Sequence, residues 1–315
     1  MSHLGIIIAT RNRAKLLERT LQSLAECAIP PALRRIIVAE NGADSHAEAL
    51  VTPFRSRLPI EYRHYPESNK CGALNRAIAE LHDELIIFLD DDVRLHKDTL
   101  VAYTDAAAGH GPGAFFGGRC LADYDEPPDA WLVPYLPNSA KGWSLGKEVC
   151  ELREPKALGF NWAAYAVDLR AVGCFDERSG PGTGGNGDES LVQEKLLRRG
   201  IKGYFLPAAM VWHYVPRERC SAEWALKRRR ETAIGEVARA DNRWSKRWAR
   251  QIACRLKIAF YSAVLRVGHD RFHPKTLFHY RYRIQGLRGR LDGIKRVSAS
   301  LGSPHSPAGA IPIST

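Results

Sequence analysis

Short runs of apolar, β-branched residues alternate with stretches of helical periodicity through the first third of the chain. Gly5–Thr10, Arg35–Glu40, Ile60–His64 and Glu84–Asp90 read as strands, and Lys15–Ala25 and Ala73–Leu81 as helices. Strands apolar throughout, with helices between them, predict an α/β fold: a mostly parallel, Rossmann-like sheet with helices on both faces. In such sheets ligands gather beyond the carboxyl ends of the strands. Here those ends are Thr10-Arg11-Asn12, Glu40-Asn41-Gly42 and Asp90-Asp91-Asp92, so the three are expected to meet at one crevice.

From about Phe115 to His213 the pattern loosens. This stretch holds Pro127-Pro128, a glycine-rich segment from Gly180 to Gly187, a helix over Glu189–Arg199 and a strand near Tyr204–Leu206. His213 falls just past the expected end of the sheet. Beyond Ser221 the chain reads as helical, with helices over Trp224–Arg239 and Trp244–Val267, and the uncharged stretch from Ser298 is expected to be a disordered tail. The division expected is an α/β domain over 1–215, in two halves, 1–120 and 121–215, a basic helical extension over 216–297 and the tail, 298–315.

Composition narrows the class. Of 315 residues, 45% are hydrophobic and 26% charged, as in an ordinary globular protein. The seven cysteines are scattered without a CxxC pair, which suggests neither a zinc site nor a disulfide framework. The first residues lack a signal-peptide pattern, and no run of about 18 apolar residues is present. A cytoplasmic protein is expected, either free or peripheral on the inner face of the plasma membrane. The net charge of +11 is concentrated: Trp224–Arg296 carries 20 Lys/Arg against 5 Asp/Glu. The helix from Trp244 interleaves Trp248, Ile252, Leu256 and Phe260 with Arg250, Arg255 and Lys257, which suits an anionic membrane surface; a helix packed on the domain with a solvated basic face is the alternative. No zinc finger, RNP signature or heptad zipper appears, so no nucleic acid partner is expected.

Asp90-Asp91-Asp92 directly follows a strand. Neighbouring carboxylates repel, and a divalent cation, Mg²⁺ or Mn²⁺, relieves that repulsion while bridging a diphosphate. Asp188-Glu189 opens a helix, where acids cap and offset the dipole and where one carboxylate also suits a general base.

These segments, in this order, resemble the family 2 glycosyltransferases. The resemblance covers Ile6–Arg13, Ile36–Ser45, Asn69–Ile78, Phe88–Val93, Gly159–Arg178 and Gly184–Gly200, and it implies a GT-A-type fold and an inverting, nucleotide-sugar-dependent transferase. It would place Thr10, Arg11, Asn12, Glu40, Asn41, Asn69 and Gly72 around the donor. Asp90 and Asp91 would meet its ribose or the metal; Asp92, with Asp90 and His213, would hold the cation. Asn161 and Trp162 would face the acceptor. Asp188 would be the general base, with Glu189 as fallback, because the acid that usually precedes the base is Gly187 here. Glu40 stands where the family usually has Asp, and a carboxylate there suits the N3–H of uracil. A UDP-sugar donor and a lipid-linked or polysaccharide acceptor follow as expectations. A nucleotidyltransferase-like enzyme, an inactive nucleotide-binding scaffold and a basic nucleic-acid-binding protein stay open.

Overall fold

The computed structural model describes residues 3–178, 188–239 and 244–302. In chain order the elements are β1 (Leu4–Thr10), α1 (Ala14–Ala25), β2 (Leu33–Asn41), α2 (Ala47–Val51), β3 (Ile60–Tyr65), α3 (Lys70–Ala79), β4 (Leu85–Asp90), β5 (Val93–Leu95), α4 (Thr99–His110), β6 (Ala114–Tyr124), α5 (Asn138–Lys141), β7 (Cys150–Leu152), β8 (Asn161–Tyr165), α6 (Ala166–Ala171), α7 (Asp188–Arg198), β9 (Lys202–Val215), α8 (Ala222–Arg239), α9 (Trp244–Gly268) and α10 (Pro274–Gly302).

One sheet runs β3-β2-β1-β4-β8-β6-β9-β5, with β7 added on β9. β1 to β4 are mutually parallel, β8 runs against both β4 and β6, and β6 is parallel to β9. Ile6–Ile8, Ile36–Val38 and Ile86–Ile87 are fully buried, as strands covered on both faces require. Register then decides where the polar ends lie. Thr10 pairs with Glu40 across β1 and β2, and Ala9 with Asp90 across β1 and β4.

α3 begins at Lys70, earlier than the apolar pattern indicates, because the Asn69 side chain caps it by accepting the Gly72 amide at 3.0 Å. β9 reaches Val215, much farther than the apolar run suggests. A register shift between Gly118 and Arg119 takes up Pro207, which cannot donate to a ladder. His213 therefore lies inside the sheet, opposite Val93 of β5, and not past its end.

The chain divides into two compact units, Met1–Ala225 and Leu226–Thr315, ten residues beyond the boundary read from the sequence. In the second unit, α8 meets α10 where Arg230 reaches Asp292 at 2.6 Å, and Gly289 leaves room for the Arg230 backbone and Ala233. α10 continues through the start of the expected tail to Gly302, and the rest of that tail lies outside the described residues. Among the described residues no helix is long and apolar enough to cross a membrane.

The tightest approach in the sheet is at Gly118, where an added Cβ would stand 2.1 Å from the Ala209 carbonyl oxygen and 2.3 Å from Asn161 Nδ2. Neither neighbour can yield, since both belong to the sheet. Gly118→Ala should cost about 3 kcal/mol, read as a lowered denaturation midpoint; a midpoint unchanged from wild type would show that β6, β8 and β9 are not clamped there.

Candidate active site

The Asp90–Asp92 segment leaves β4 into a crowded charge environment. Asp91 and Asp92 are both buried, at 3% and 7% exposure. The Thr10 hydroxyl donates to Asp91 Oδ2 at 2.7 Å, while one Arg13 nitrogen reaches Asp91 Oδ1 at 3.1 Å and Asp92 Oδ2 at 2.8 Å. The Thr20 hydroxyl serves the Asp91 and Val93 carbonyls and so fixes the turn. Asp92 Oδ1 is buried without a hydrogen bond, and His213 Nε2 faces it at 3.5 Å. Burial lowers the His213 pKa despite the pull of Asp92 and Asp90, which favours the neutral imidazole, and the ring stacks on Phe160 at 4.3 Å.

Asp90 points elsewhere. It pairs with Lys70, whose ammonium lies 2.5 Å from Asp90 Oδ1. Burial pulls the Lys70 pKa down, but the charges of Asp90 and Asp188, a hydrogen bond to Asp90 and the charge of Glu189 outweigh it and hold the group charged. Lys70 thus faces the end of β4 and the start of α7 together. At that helix start the Cys71 thiol, kept protonated chiefly by burial, donates to Asp188 Oδ2 at 3.6 Å. Glu189 packs against Gly159. Its carboxyl is pushed above the usual range by burial, then by the charge of Asp188 and a hydrogen bond to it.

On the other side of β1 a cavity of about 380 Å³ is lined by Thr10, Asn12, Arg13, Ala14, Leu17, Glu40, Asp44, His46 and Ala47. Asn12 adopts a left-handed backbone, φ 53°, that turns the chain out of β1 beside it. Glu40 is fixed through one oxygen, Oε2, which accepts from the His46 and Ala47 amides at 3.0 Å each and from the Tyr62 hydroxyl at 2.7 Å.

Comparison with known proteins identifies the family and the fold. The glycosyl transferase family 2 model matches residues 5–167. The chain is 30% identical over 236 residues to the succinoglycan biosynthesis protein ExoM of Rhizobium meliloti, covering 72% of each protein. It belongs to glycosyltransferase family 2. The GT-A fold is shared with S. aureus TarS 1–349, solved with UDP-GlcNAc (TM-score 0.54, 16% identity, 95% of this chain and 92% of that one). It is shared equally with the Pyrobaculum calidifontis mannosyltransferase PcManGT, solved with GDP-Man and Mn²⁺ (TM-score 0.54, 18% identity, 96% and 76%).

In this glycosyltransferase the three strand ends do converge, but several expected contacts turn inward. Asn161 is fully buried and saturated: it accepts from the Tyr103 hydroxyl at 2.9 Å and donates to the Arg119 and Ala209 carbonyls, each at 2.9 Å. Trp162 is fully buried and stacks on Phe88 at 4.8 Å. Neither has a surface for an acceptor, so both expectations are corrected: these residues brace β4 from β8. Asn41 donates to the Thr10 carbonyl at 3.1 Å and ties β2 to β1, and Asn69, besides capping α3, donates to the Glu177 carbonyl at 3.1 Å. Gly72 keeps α3 close to Asn69 and Glu177, where a Cβ would stand 3.4 and 3.6 Å from their side chains. Arg11 is exposed beside Gly42 and does not line the cavity. Gly180 to Gly187 lies outside the described residues.

The sequence does not single out Arg13, Cys71 or Asp44, and in the sequence Lys70 reads equally as reaching a donor phosphate or as a solvated lysine. The only available signal was proximity, because Arg13 is one residue past a strand-end motif and Cys71 lies inside another. Arg13 generates a pH-dependent prediction. Burial, against the opposing pull of Arg13, raises the Asp91 carboxyl to about 6 from an ordinary 3.8. A carboxyl raised on folding favours the folded state below its ordinary value and loses that advantage as pH climbs through about 6. Without Arg13 the loss deepens. Arg13→Ala also loses its pair with Asp92, so it should melt below wild type at both pH values, with a deficit roughly 3–6 °C larger near pH 8 than near pH 5 by calorimetry; a deficit that does not grow with pH would show that Arg13 does not neutralise Asp91.

Proposed function

We propose that this glycosyltransferase moves a sugar from a nucleoside-diphosphate donor to an acceptor hydroxyl in one displacement, inverting the anomeric centre, during assembly of a polysaccharide or another cell-envelope glycan. The observation that carries this reading is Lys70. One ammonium pairs with Asp90 of the Asp90–Asp92 motif and also answers the charge of Asp188 and Glu189, so the acids that leave β4 and those that open α7 are neighbours. The succinoglycan role in the name of ExoM, and the nucleotide complexes of the two structural relatives, support the donor and glycan classes.

The cavity beside Thr10, Asn12 and Glu40 takes the nucleoside. Uridine is favoured, because Glu40 Oε1, outside the three bonds that anchor its partner oxygen, offers an acceptor to N3–H. A divalent cation fits the orphaned Asp92 Oδ1 and the neutral His213 that faces it. Among the described residues no three metal-type side chains cluster, so Asp92 and His213 would need donor phosphate and water oxygens beside them to hold the ion. Bound there, Mg²⁺ or Mn²⁺ would offset the charge of the leaving diphosphate. Asp90 is committed to Lys70, which makes it a positioning group. Asp188 takes the acceptor proton: the Cys71 thiol holds one of its oxygens, and the Glu189 carboxyl beside it is raised chiefly by burial, which makes Glu189 the poorer anion.

Two outcomes test the scheme. In thermal-shift measurements with UDP-, GDP- and dTDP-sugars, one donor should raise the melting temperature only when Mn²⁺ or Mg²⁺ is present, and Asp92→Asn should remove the cation-dependent part; the reading fails if no nucleotide sugar stabilises the protein. Asp188→Asn should lower kcat about 100- to 10,000-fold with the donor KM little changed, and NMR of the wild-type product should show the opposite anomeric configuration to the donor. Loss of turnover in Glu189→Gln but not in Asp188→Asn would move the base to Glu189.

A further inference from the structure

Within the second unit, one face of α9 has no protein partner. The helix is anchored to α10 through Tyr261, whose ring meets Tyr280 at 5.6 Å and lies under the Arg283 guanidinium, and through the buried Cys254. At about 100° per residue the opposite side carries Ala249, Ile252, Ala253, Leu256, Ala259, Phe260, Ala263 and Val267, an arc of about 120° with no polar residue. Leu256, Phe260 and Val267 are 66%, 63% and 70% exposed, and Trp248 at the margin is 74% exposed. Five of the nine exposed large apolar side chains among the described residues fall between Trp248 and Phe272, which makes this a patch and not scattered surface carbon.

The borders say what covers it. Arg255 and Arg266 flank one edge and Arg250 and Lys257 the other, all exposed, and α9 contains six Lys/Arg and no Asp or Glu. A second copy of this face would set those cationic rows against each other. A nucleic acid would leave the apolar arc uncovered. An anionic bilayer satisfies both parts, with acyl chains under the arc and headgroups along the cationic edges.

We propose that α9 lies flat on an anionic lipid surface through the Ala249–Val267 arc, holding the enzyme where a membrane-borne acceptor is presented. The length and composition of α9 fit lying on a membrane and not spanning it. The binding claim stands apart from the chemistry assigned to Asp188, and the test separates them.

The full-length protein is floated with vesicles of phosphatidylcholine alone and with 30% phosphatidylglycerol, at low and high salt. Wild type should float with the anionic vesicles, weakly with the neutral ones, and less at high salt. A Leu256→Ser/Phe260→Ser variant should bind about tenfold more weakly while its circular dichroism and its donor-induced thermal shift stay at wild-type values. Equal flotation of variant and wild type, or no flotation of wild type, overturns the proposal. So does a wild-type dimer in sedimentation that the variant converts to monomer, because the arc would then be a protein interface.

Discussion

Three carboxylates in sequence leave β4, and two of them are buried. Unopposed, that charge would drive the strand end apart or force protonation, and the surrounding elements are arranged to offset it. Arg13 bridges Asp91 and Asp92 from the turn after β1, Thr10 donates from the end of β1, and Lys70 takes Asp90 from the first turn of α3. Arg13 also lines the cavity beside Glu40, while Lys70 also answers the charge of Asp188 and Glu189.

The sheet makes this balance possible by being rigid where the charges are. β8 runs against β4 and presses Trp162 onto Phe88, while Asn161 ties β6, β9 and α4 together through three hydrogen bonds. Asn161 inside this brace has its oxygen and its amide hydrogens satisfied, as burial demands. Trp162 Nε1 in the brace, and Asp92 Oδ1 and His213 Nδ1 beside it, are buried without a bond. The orphaned carboxylate oxygen is the one that the proposed cation would satisfy.

The helical unit follows a different logic. Its inner contacts are aromatic and cationic, as between Tyr261, Tyr280 and Arg283, and its glycines let α8 and α10 approach closely. Its outer face on α9 carries apolar side chains between cationic rows. The positive charge concentrated in this quarter of the chain therefore borders a hydrophobic stripe, the arrangement on which the proposed lipid contact rests.

Much of the catalytic layout was legible in the chain alone. Apolar strands ending in Thr10, Glu40 and Asp90 imply a parallel sheet, and a parallel sheet puts such ends on one edge because every strand runs the same way. The family resemblance supplied Asp188 as the candidate base, with Glu189 as fallback. What the sequence could not decide was the direction of each side chain. Asn161 and Trp162 sit in a motif that reads as acceptor-facing, yet β8 is a central strand, so both of its faces are buried. Lys70 reads as a solvated lysine until α3 and α7 are brought together around it, and Arg13 reads as an ordinary turn residue until β1 and β4 lie side by side. Residue type and order fix which charges exist. Only strand pairing and helix packing bring residues 78 or 118 positions apart close enough for Coulomb forces to choose their partners.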